Sequence, residues 1–328
     1  MAIEIDYTFN IDGFFQSINY YRSEIPIDIN NPPTPTQTGI LGNNYIDTTA
    51  EASKIYHVVF STVKNATEKF SVPIVVNTSS WGPDKLNPVL NISADSVTVL
   101  DGKAQVLINL SDSEKNAVLR TNTVPATIAQ WANGAKKLIA VDHGGYTVKG
   151  LDNVLNNKNK WYVFAVINLK YKSSGDNTVL AIRSGTSGIR VGLLSAPDGR
   201  LYLGGKRLDS EGWQRCISPA SYFDQNIIVL GRADTLARRL ELYVNGALTV
   251  ALDNWQTSGN ISNTNSLEFS VMCGQDGLHN FNGEISSLVF SNTEIAENDR
   301  QKLEGWAAHK YGLAQNLPAS HQYKTRPP

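Results

Sequence analysis

The sequence predicts an all-β protein with two β-sandwich domains and one helix near its C-terminal end. Short alternations of apolar and polar residues recur along the 328 residues, separated by glycine, proline and asparagine, as in strands joined by turns. Residues 240–252 form the clearest hairpin pattern, and residues 297–311 carry apolar side chains at helical spacing. At roughly 100–200 residues per domain, this length corresponds to two or three domains.

Residues 1–76 are predicted to form a small all-β domain. Residues 18–22 and 56–61 alternate between two sets of side chains, as in half-buried strands. The proline-rich stretch 30–35 between them is a loop or a sheet edge, because proline cannot donate to a sheet ladder. Residues 70–76 are expected to form the last strand of this domain.

Residues 77–90 combine turn formers without periodicity and are interpreted as a linker. The second domain, residues 91–328, has many short strands and little helix. In its hairpin, residues 240–244 alternate between two faces and are followed by Asn245-Gly246. Asn-Gly tolerates a positive φ at both central positions of a type I′ turn, which favours an antiparallel pair.

The helix predicted over residues 297–311 has acidic residues in its first turn and His309 and Lys310 in its last, which suits the helix dipole. Gly312 follows as a C-terminal cap. The tail, residues 317–328, is expected to extend over the surface.

Composition excludes several classes of protein. Formal net charge is −1 at pH 7, which argues against non-specific nucleic-acid binding. The two cysteines, Cys216 and Cys273, are too few for a disulfide scaffold or a zinc site and are expected to be buried thiols, with a cross-sheet pair as the alternative. Residues 1–6 lack the features of a secretory signal, and no apolar run reaches membrane-spanning length.

The end of the chain resembles a known family. Residues 281–290 (FNGEISSLVF) and the helix at 299–313 are similar to the C-terminal signature of concanavalin A-like lectin/glucanase domains of the laminin-G-like kind. The Leu-Tyr-Val-Asn-Gly segment at 242–246 resembles the central hairpin of that family. The resemblance covers residues 96–324 and implies a two-sheet jelly roll.

The first domain resembles a fibronectin type III or immunoglobulin-like sandwich at residues 19–23 and 56–60. A small sandwich joined to a lectin-like one resembles modular bacteriophage virion proteins of the tail tip, tail fibre or head decoration. That resemblance implies a protein made in the host cytoplasm and displayed on the virion. Its expected partners are other virion proteins and copies of itself, with no nucleic acid and no membrane insertion.

No catalytic residues are predicted. Glucanases of this superfamily carry E-x-D-x-x-E on one strand, whereas residues 4–9 have Phe9 in place of the second Glu and lie in the other domain. No histidine falls in a G-x-S-x-G setting, and residues 204–207 depart from a phosphate loop. The sequence therefore predicts a binding protein rather than an enzyme.

Candidate ligand-binding residues lie in the predicted loops of the second domain, where aromatic rings and planar polar groups can hold a sugar. They are Trp255, Asn254, Trp213, Tyr146, His143 and His279. No cofactor is expected, but calcium is used by many domains of this kind, and Asp276 with Asn280 could begin such a site.

The leading interpretation is a non-enzymatic phage virion protein that binds a glycan on the host surface. The first alternative is a purely structural tail or capsid-decoration protein that binds other virion chains. A polysaccharide-degrading enzyme is the second, and it would need two carboxylates converging in the jelly-roll cleft.

Overall fold

A computed structural model gives the fold of the chain. It describes residues 2–11, 13–51, 54–78, 81–121, 123–151, 153–173, 175–184, 188–262, 267–274 and 279–328. The chain divides into two compact units, Met1–Trp81 with Arg326–Pro328, and Gly82–Thr325. Across the described residues, no helix is both long and apolar enough to cross a membrane.

The first unit packs two antiparallel sheets around an aromatic-rich core. The two-stranded sheet pairs β1 with β4, and the other has the order β3-β2-β5-β6, with β7 also on β5. Tyr7, Tyr20 and Tyr56 are buried between them. The strands are β1 (Ala2–Thr8), β2 (Ser17–Ser23), β3 (Gln37–Ile40), β4 (Asn44–Glu51), β5 (Ile55–Lys64), β6 (Thr67–Phe70) and β7 (Ile74–Asn77).

The last strand predicted for this unit is two strands. β6 pairs with the C-terminal half of β5 and β7 with its N-terminal half, and residues 71–73 separate them. Pro73 stands in this break, where its missing N–H interrupts the ladder. The single strand expected over 70–76 is therefore wrong.

The second unit holds sixteen described strands and α1, the one α-helix of the described residues. They are β8 (Leu90–Leu100), β9 (Lys103–Asn109), β10 (Ala117–Leu119), β11 (Thr127–Gln130), β12 (Lys136–Gly144), β13 (Tyr146–Val148), β14 (Lys160–Leu169), β15 (Asn177–Ser184), β16 (Gly188–Ser195), β17 (Arg200–Gly205), β18 (Gln214–Ser221), β19 (Asn226–Asp234), β20 (Arg239–Val244), β21 (Ala247–Asp253), β22 (Leu267–Val271), β23 (Phe281–Ser291) and α1 (Glu297–Lys310). Short 3₁₀ helices cover Pro83–Leu86 and Ala314–Asn316.

These strands form one continuous ladder that folds into two layers. We call β18-β17-β16-β15-β22 the front layer and β23-β14-β19-β20-β21 the back layer. The main core lies between them, and its largest side chains are aromatic. Trp161 meets Trp255 edge to face with centroids 6.3 Å apart, and Phe269 meets Phe290 in the same way at 5.3 Å. The predicted all-β class with a C-terminal helix is confirmed.

The predicted hairpin and helix are also confirmed. Asn245 and Gly246 have φ of 50° and 80°, and β20 pairs with β21 across them. The helix α1 spans Glu297–Lys310, and Gly312 follows it with φ of 71°.

The tail is not extended. After α1 it turns repeatedly, and Leu317, His321 and Tyr323 are buried within the second unit. Nε2 of His321 lies 3.2 Å from Oε2 of Glu304 on α1. The expectation of a surface-extended tail is wrong. Burial of these side chains and the contact of His321 with Glu304 hold the tail against the second unit.

Candidate functional site

A pocket of about 190 Å³ lies on the outer face of the front layer. Strand β15 builds its floor by alternation, since Leu180 and Ile182 point into the main core while Ala181 and Arg183 point outward. We call this cavity the front-layer pocket. It is lined by Asp176, Thr178, Ala181, Arg183, Ile189, Leu194, Trp213, Gly274 and His279.

An apolar cluster supports the pocket from the side. Leu194 of β16 is paired with Tyr202 of β17, which is paired with Ile217 of β18, so the three form a row across the sheet. Ile189 and Trp213 pack against this row. The row places the Trp213 ring in the pocket wall.

Trp213 is half-buried, and its segment is firmly attached. The guanidinium carbon of Arg215 lies 4.9 Å from the Trp213 ring centroid and 4.1 Å from that of Tyr202, so the cation bridges the two rings. Nε2 of Gln256 donates to the carbonyl of Gly212 at 2.7 Å. The Trp213 indole N–H is buried and finds no acceptor among the described residues.

Two opposite charges share the pocket without pairing. Arg183 and Asp176 are both half-buried, and within the described part of the chain neither side chain has an ion pair or a hydrogen bond. Nε of Arg183 is buried without a partner. Burial raises the pKa of the nearby Tyr202 phenol, and the Asp176 carboxylate raises it further, against the lowering effect of Arg215. Within the part of the chain that the structure describes, the pocket therefore offers an unpaired cation and an unpaired anion.

Two further polar side chains complete the lining. Thr178 is 1% exposed, and its hydroxyl has no hydrogen-bond partner among the residues described. His279 enters from the connection between β22 and β23, where its carbonyl accepts a hydrogen bond from Gly274 N at 3.1 Å. The Thr178 hydroxyl and the Arg183 Nε, which have no partner among the described residues, are suited to a polar ligand.

The structure brings two of the six candidate ligand-binding residues together, Trp213 and His279. Trp255 and Tyr146 are each 0% exposed, which corrects the expectation that their rings face a sugar. Trp255 packs in the main core against Trp161. Tyr146 donates from its hydroxyl to the Ala104 carbonyl at 2.8 Å, as a core tyrosine does.

The remaining candidates lie elsewhere. Asn254 is exposed in a turn with φ of 62°, outside the described lining of the pocket. Asn280 is buried, and its carbonyl accepts from Nζ of Lys172 at 2.9 Å. Asp276 and the side chain of His143 lie outside the described residues. No group of three metal-ligating side chains occurs in the described part of the chain, and calcium binding stays a prediction.

The sequence reasoning missed Asp176, Thr178 and Arg183. The signal was present in β15, where Arg183 follows a strand of apolar residues and so falls on the face opposite the core. Arg183 lies on a strand face and was not among the candidates, because these were sought in predicted loops.

No protein-family model matches the chain, and no curated protein sequence matches it. Among solved structures, the botulinum neurotoxin serotype G binding domain is 14% identical with a TM-score of 0.47, over 66% of this chain and 50% of that one. The chain thus spans half the length of that protein.

Domain 4 of AbnA, a GH43 extracellular arabinanase from Geobacillus stearothermophilus in complex with arabinotriose, is 13% identical with a TM-score of 0.47, over 66% of this chain and 98% of that one. The CBM40 of a Ruminococcus gnavus IT-sialidase, bound to α2,3-sialyllactose, is 16% identical with a TM-score of 0.37, over 43% and 80%.

Proposed function

We propose that this protein is a non-enzymatic, lectin-like binding protein whose front-layer pocket holds a sugar residue of a surface glycan. One observation carries the proposal: the aromatic ring of Trp213 shares a cavity with Arg183 and Thr178, whose Nε and hydroxyl have no hydrogen-bond partner among the described residues. An aromatic ring accepts the apolar face of a sugar, and planar polar groups bind its hydroxyls.

The size of the cavity fits a small ligand. At about 190 Å³ it is below the roughly 300 Å³ at which sites for drug-sized molecules begin. Such a site holds one polar ring rather than a long chain, and its affinity as a single copy is low. Attachment to a cell surface then depends on many copies engaging together.

Binding rather than hydrolysis is favoured by the carboxylates. A glycosidase needs two of them flanking the scissile bond. Asp176 is the single carboxylate in the described lining of the pocket. One carboxylate binds hydroxyls but does not supply both the acid and the nucleophile.

We further propose that the chain acts on a bacteriophage virion, where it meets other virion proteins and copies of itself. The resemblance of residues 281–290 and 299–313 to lectin-like domains of phage proteins supports this setting. A symmetric particle also supplies the many copies that a small pocket requires.

A second candidate function is architectural. Four large apolar side chains of the first unit, Phe14, Ile25, Leu41 and Val72, are at least 71% exposed. Exposed apolar side chains bind other proteins where they form one contiguous patch. A structural component that binds neighbouring virion chains through this unit would show no affinity for glycans.

The test is binding of the full chain, displayed multivalently, to immobilised glycans and to host cells before and after removal of their surface polysaccharide. We expect saturable binding that is lost on removal and weakened by Trp213→Ala. Trp306→Ala is the matched control, because Trp306 is also half-buried beside a cation, with Lys310 Nζ at 5.2 Å from its ring centroid, but lies on α1. Absence of binding to any glycan, with both variants folded, would favour the architectural role.

A further inference from the structure

The front-layer pocket contains an arginine that pairs with no side chain among the described residues. Arg183 lines the cavity, its Nε is buried without a partner, and its guanidinium forms no ion pair within the described residues. Five other buried or half-buried arginines each pair with a carboxylate. The pairs are Arg22–Asp47, Arg190–Asp209, Arg207–Glu211, Arg232–Glu241 and Arg300–Glu304.

An unpaired, partly desolvated guanidinium costs free energy. Removing its N–H groups from water without a replacement acceptor is unfavourable, and the cost falls when a carboxylate enters. The planar fork of arginine fits a carboxylate through two parallel hydrogen bonds. The structure around Arg183 therefore favours an anionic group in the ligand.

Asp176 limits where that anion can sit. Its carboxylate lines the same cavity yet is not within ion-pair distance of Arg183, since the two form no ion pair. A ligand can therefore place a carboxylate at Arg183 and hydroxyl groups at Asp176. A purely anionic ligand such as inorganic phosphate would meet repulsion from Asp176, whereas a sugar acid satisfies both groups.

We propose that the glycan residue bound in the front-layer pocket is an acidic sugar of the hexuronic acid class, with its carboxylate on Arg183 and its hydroxyls facing Asp176 and Thr178. The ring of this residue lies against Trp213. This inference rests on the proposed glycan-binding function and adds the chemical class of the ligand.

The test compares a hexuronate-containing oligosaccharide with its carboxyl-reduced counterpart, which has the same ring and linkage but a neutral CH₂OH group. With the full chain, we expect reduction to weaken binding about tenfold or more, because a hydrogen bond to a charged group is lost. Arg183→Gln lowers affinity for the acidic form to that for the neutral form, and Arg183→Lys retains part of the difference. Raising the salt concentration weakens binding of the acidic form alone.

Arg200→Gln is the control for loss of a cation from the same layer, since Arg200 of β17 pairs with Asp198 and is not a described lining residue. Thermal unfolding shows whether each variant is folded. Equal binding of the acidic and reduced forms, unaffected by Arg183→Gln but weakened by Trp213→Ala, would overturn the acidic-sugar inference and leave glycan binding standing. Binding of neither form would overturn both. Tighter binding of a sialylated oligosaccharide than of the hexuronate would support a ligand carboxylate at Arg183 but overturn the assignment of the ligand to the hexuronic acids.

Discussion

The guanidinium carbon of Arg300 lies 4.1 Å from the ring centroid of Tyr243. Arg300 is on α1 and Tyr243 on β20, so this cation–π contact joins the helix to the back layer. The same guanidinium donates to both carboxylate oxygens of Glu304 at 2.6 Å. Glu304 contacts His321 of the tail, so sheet, helix and tail share one buried polar cluster.

Arg300→Met is expected to destabilise the second unit by about 3–5 kcal/mol, because Glu304 is left buried without its cation. Denaturant unfolding followed by tryptophan fluorescence measures the loss. Lys302→Met is the control, since the partly exposed pair of Lys302 with Asp299 contributes about 0–1 kcal/mol. Equal losses of unfolding free energy in the two variants would show that the buried pair stabilises the unit no more than the partly exposed pair does.

Gly246→Ala is expected to destabilise the second unit by more than the positive φ alone requires. A methyl group at Gly246 would lie 2.8 Å from Cδ2 of His321 and 3.2 Å from a methyl carbon of Leu317. Gly134→Ala is the control, because Gly134 has φ of 85° with no described neighbour within 4 Å of the added carbon. Strain at positive φ costs about 1 kcal/mol at both sites, and the excess at Gly246 measures packing of the tail on the hairpin. Equal unfolding free energies would contradict that packing.

The hairpin was predictable and the tail was not, for a physical reason. Asn245-Gly246 determines its turn through local backbone geometry, whereas the position of His321 depends on Glu304, which belongs to another element. The candidate site divides in the same way. Trp213 was found from its residue type, but its meeting with Arg183 depends on the pairing of distant strands. The burial of Trp255 depends on its packing against Trp161, which no local pattern reveals.

Acid is expected to destabilise the first unit through Asp47. Burial raises the pKa of this carboxyl, but hydrogen bonds from Thr49 and Tyr20 and the charge of Arg22 outweigh that effect, so its pKa is lowered from the usual 3.8. A lowered pKa stabilises the fold above pH 3.8, and that stabilisation is lost as the pH falls through the folded-state value. Hydrogen exchange in peptides from β2 and β5 reports on this unit alone.

In Asp47→Asn, the backbone amides of β2 and β5 should exchange faster at pH 7 than in the parent protein. Their protection should also fall less on acidification, because the carboxylate that titrates is gone. Asp28→Asn, at an exposed position of the same unit, should leave the acid dependence unchanged. An acid dependence of Asp47→Asn equal to that of the parent protein would assign the effect to another group.

Neither cysteine is expected to react in the folded protein. Cys216 and Cys273 are buried and are not joined in a disulfide, so the structure supports two thiols over a cross-sheet disulfide. Burial raises the pKa of Cys216 to about 12, which leaves almost no thiolate at neutral pH. Titration with Ellman's reagent should detect no thiol in the folded protein and two after denaturation. Rapid reaction of either thiol in the folded state would contradict this burial.

Gln256 is expected to act as a positioning residue for Trp213. Its Nε2 donates to the carbonyls of Gly212 and Gly205, and its backbone N–H donates to Oε1 of Gln214. Gln256→Glu keeps the shape but replaces both side-chain donors with an acceptor that repels the two carbonyls. We expect glycan binding to weaken by about tenfold, the equivalent of one to two hydrogen bonds.

Gln225→Glu is the matched control, because the amide of Gln225 is exposed and makes a single long hydrogen bond of 3.5 Å to Ser221. It should bind glycan as the parent protein does. Two measurements separate positioning from a general loss of stability. Trp213 should become more accessible to a fluorescence quencher in Gln256→Glu at temperatures where the second unit is still folded, although its thermal midpoint falls because a buried carboxylate then faces two carbonyls. A loss of binding that only follows a fall in thermal midpoint, with quenching unchanged, would show that Gln256 supports the fold and not the orientation of the ring.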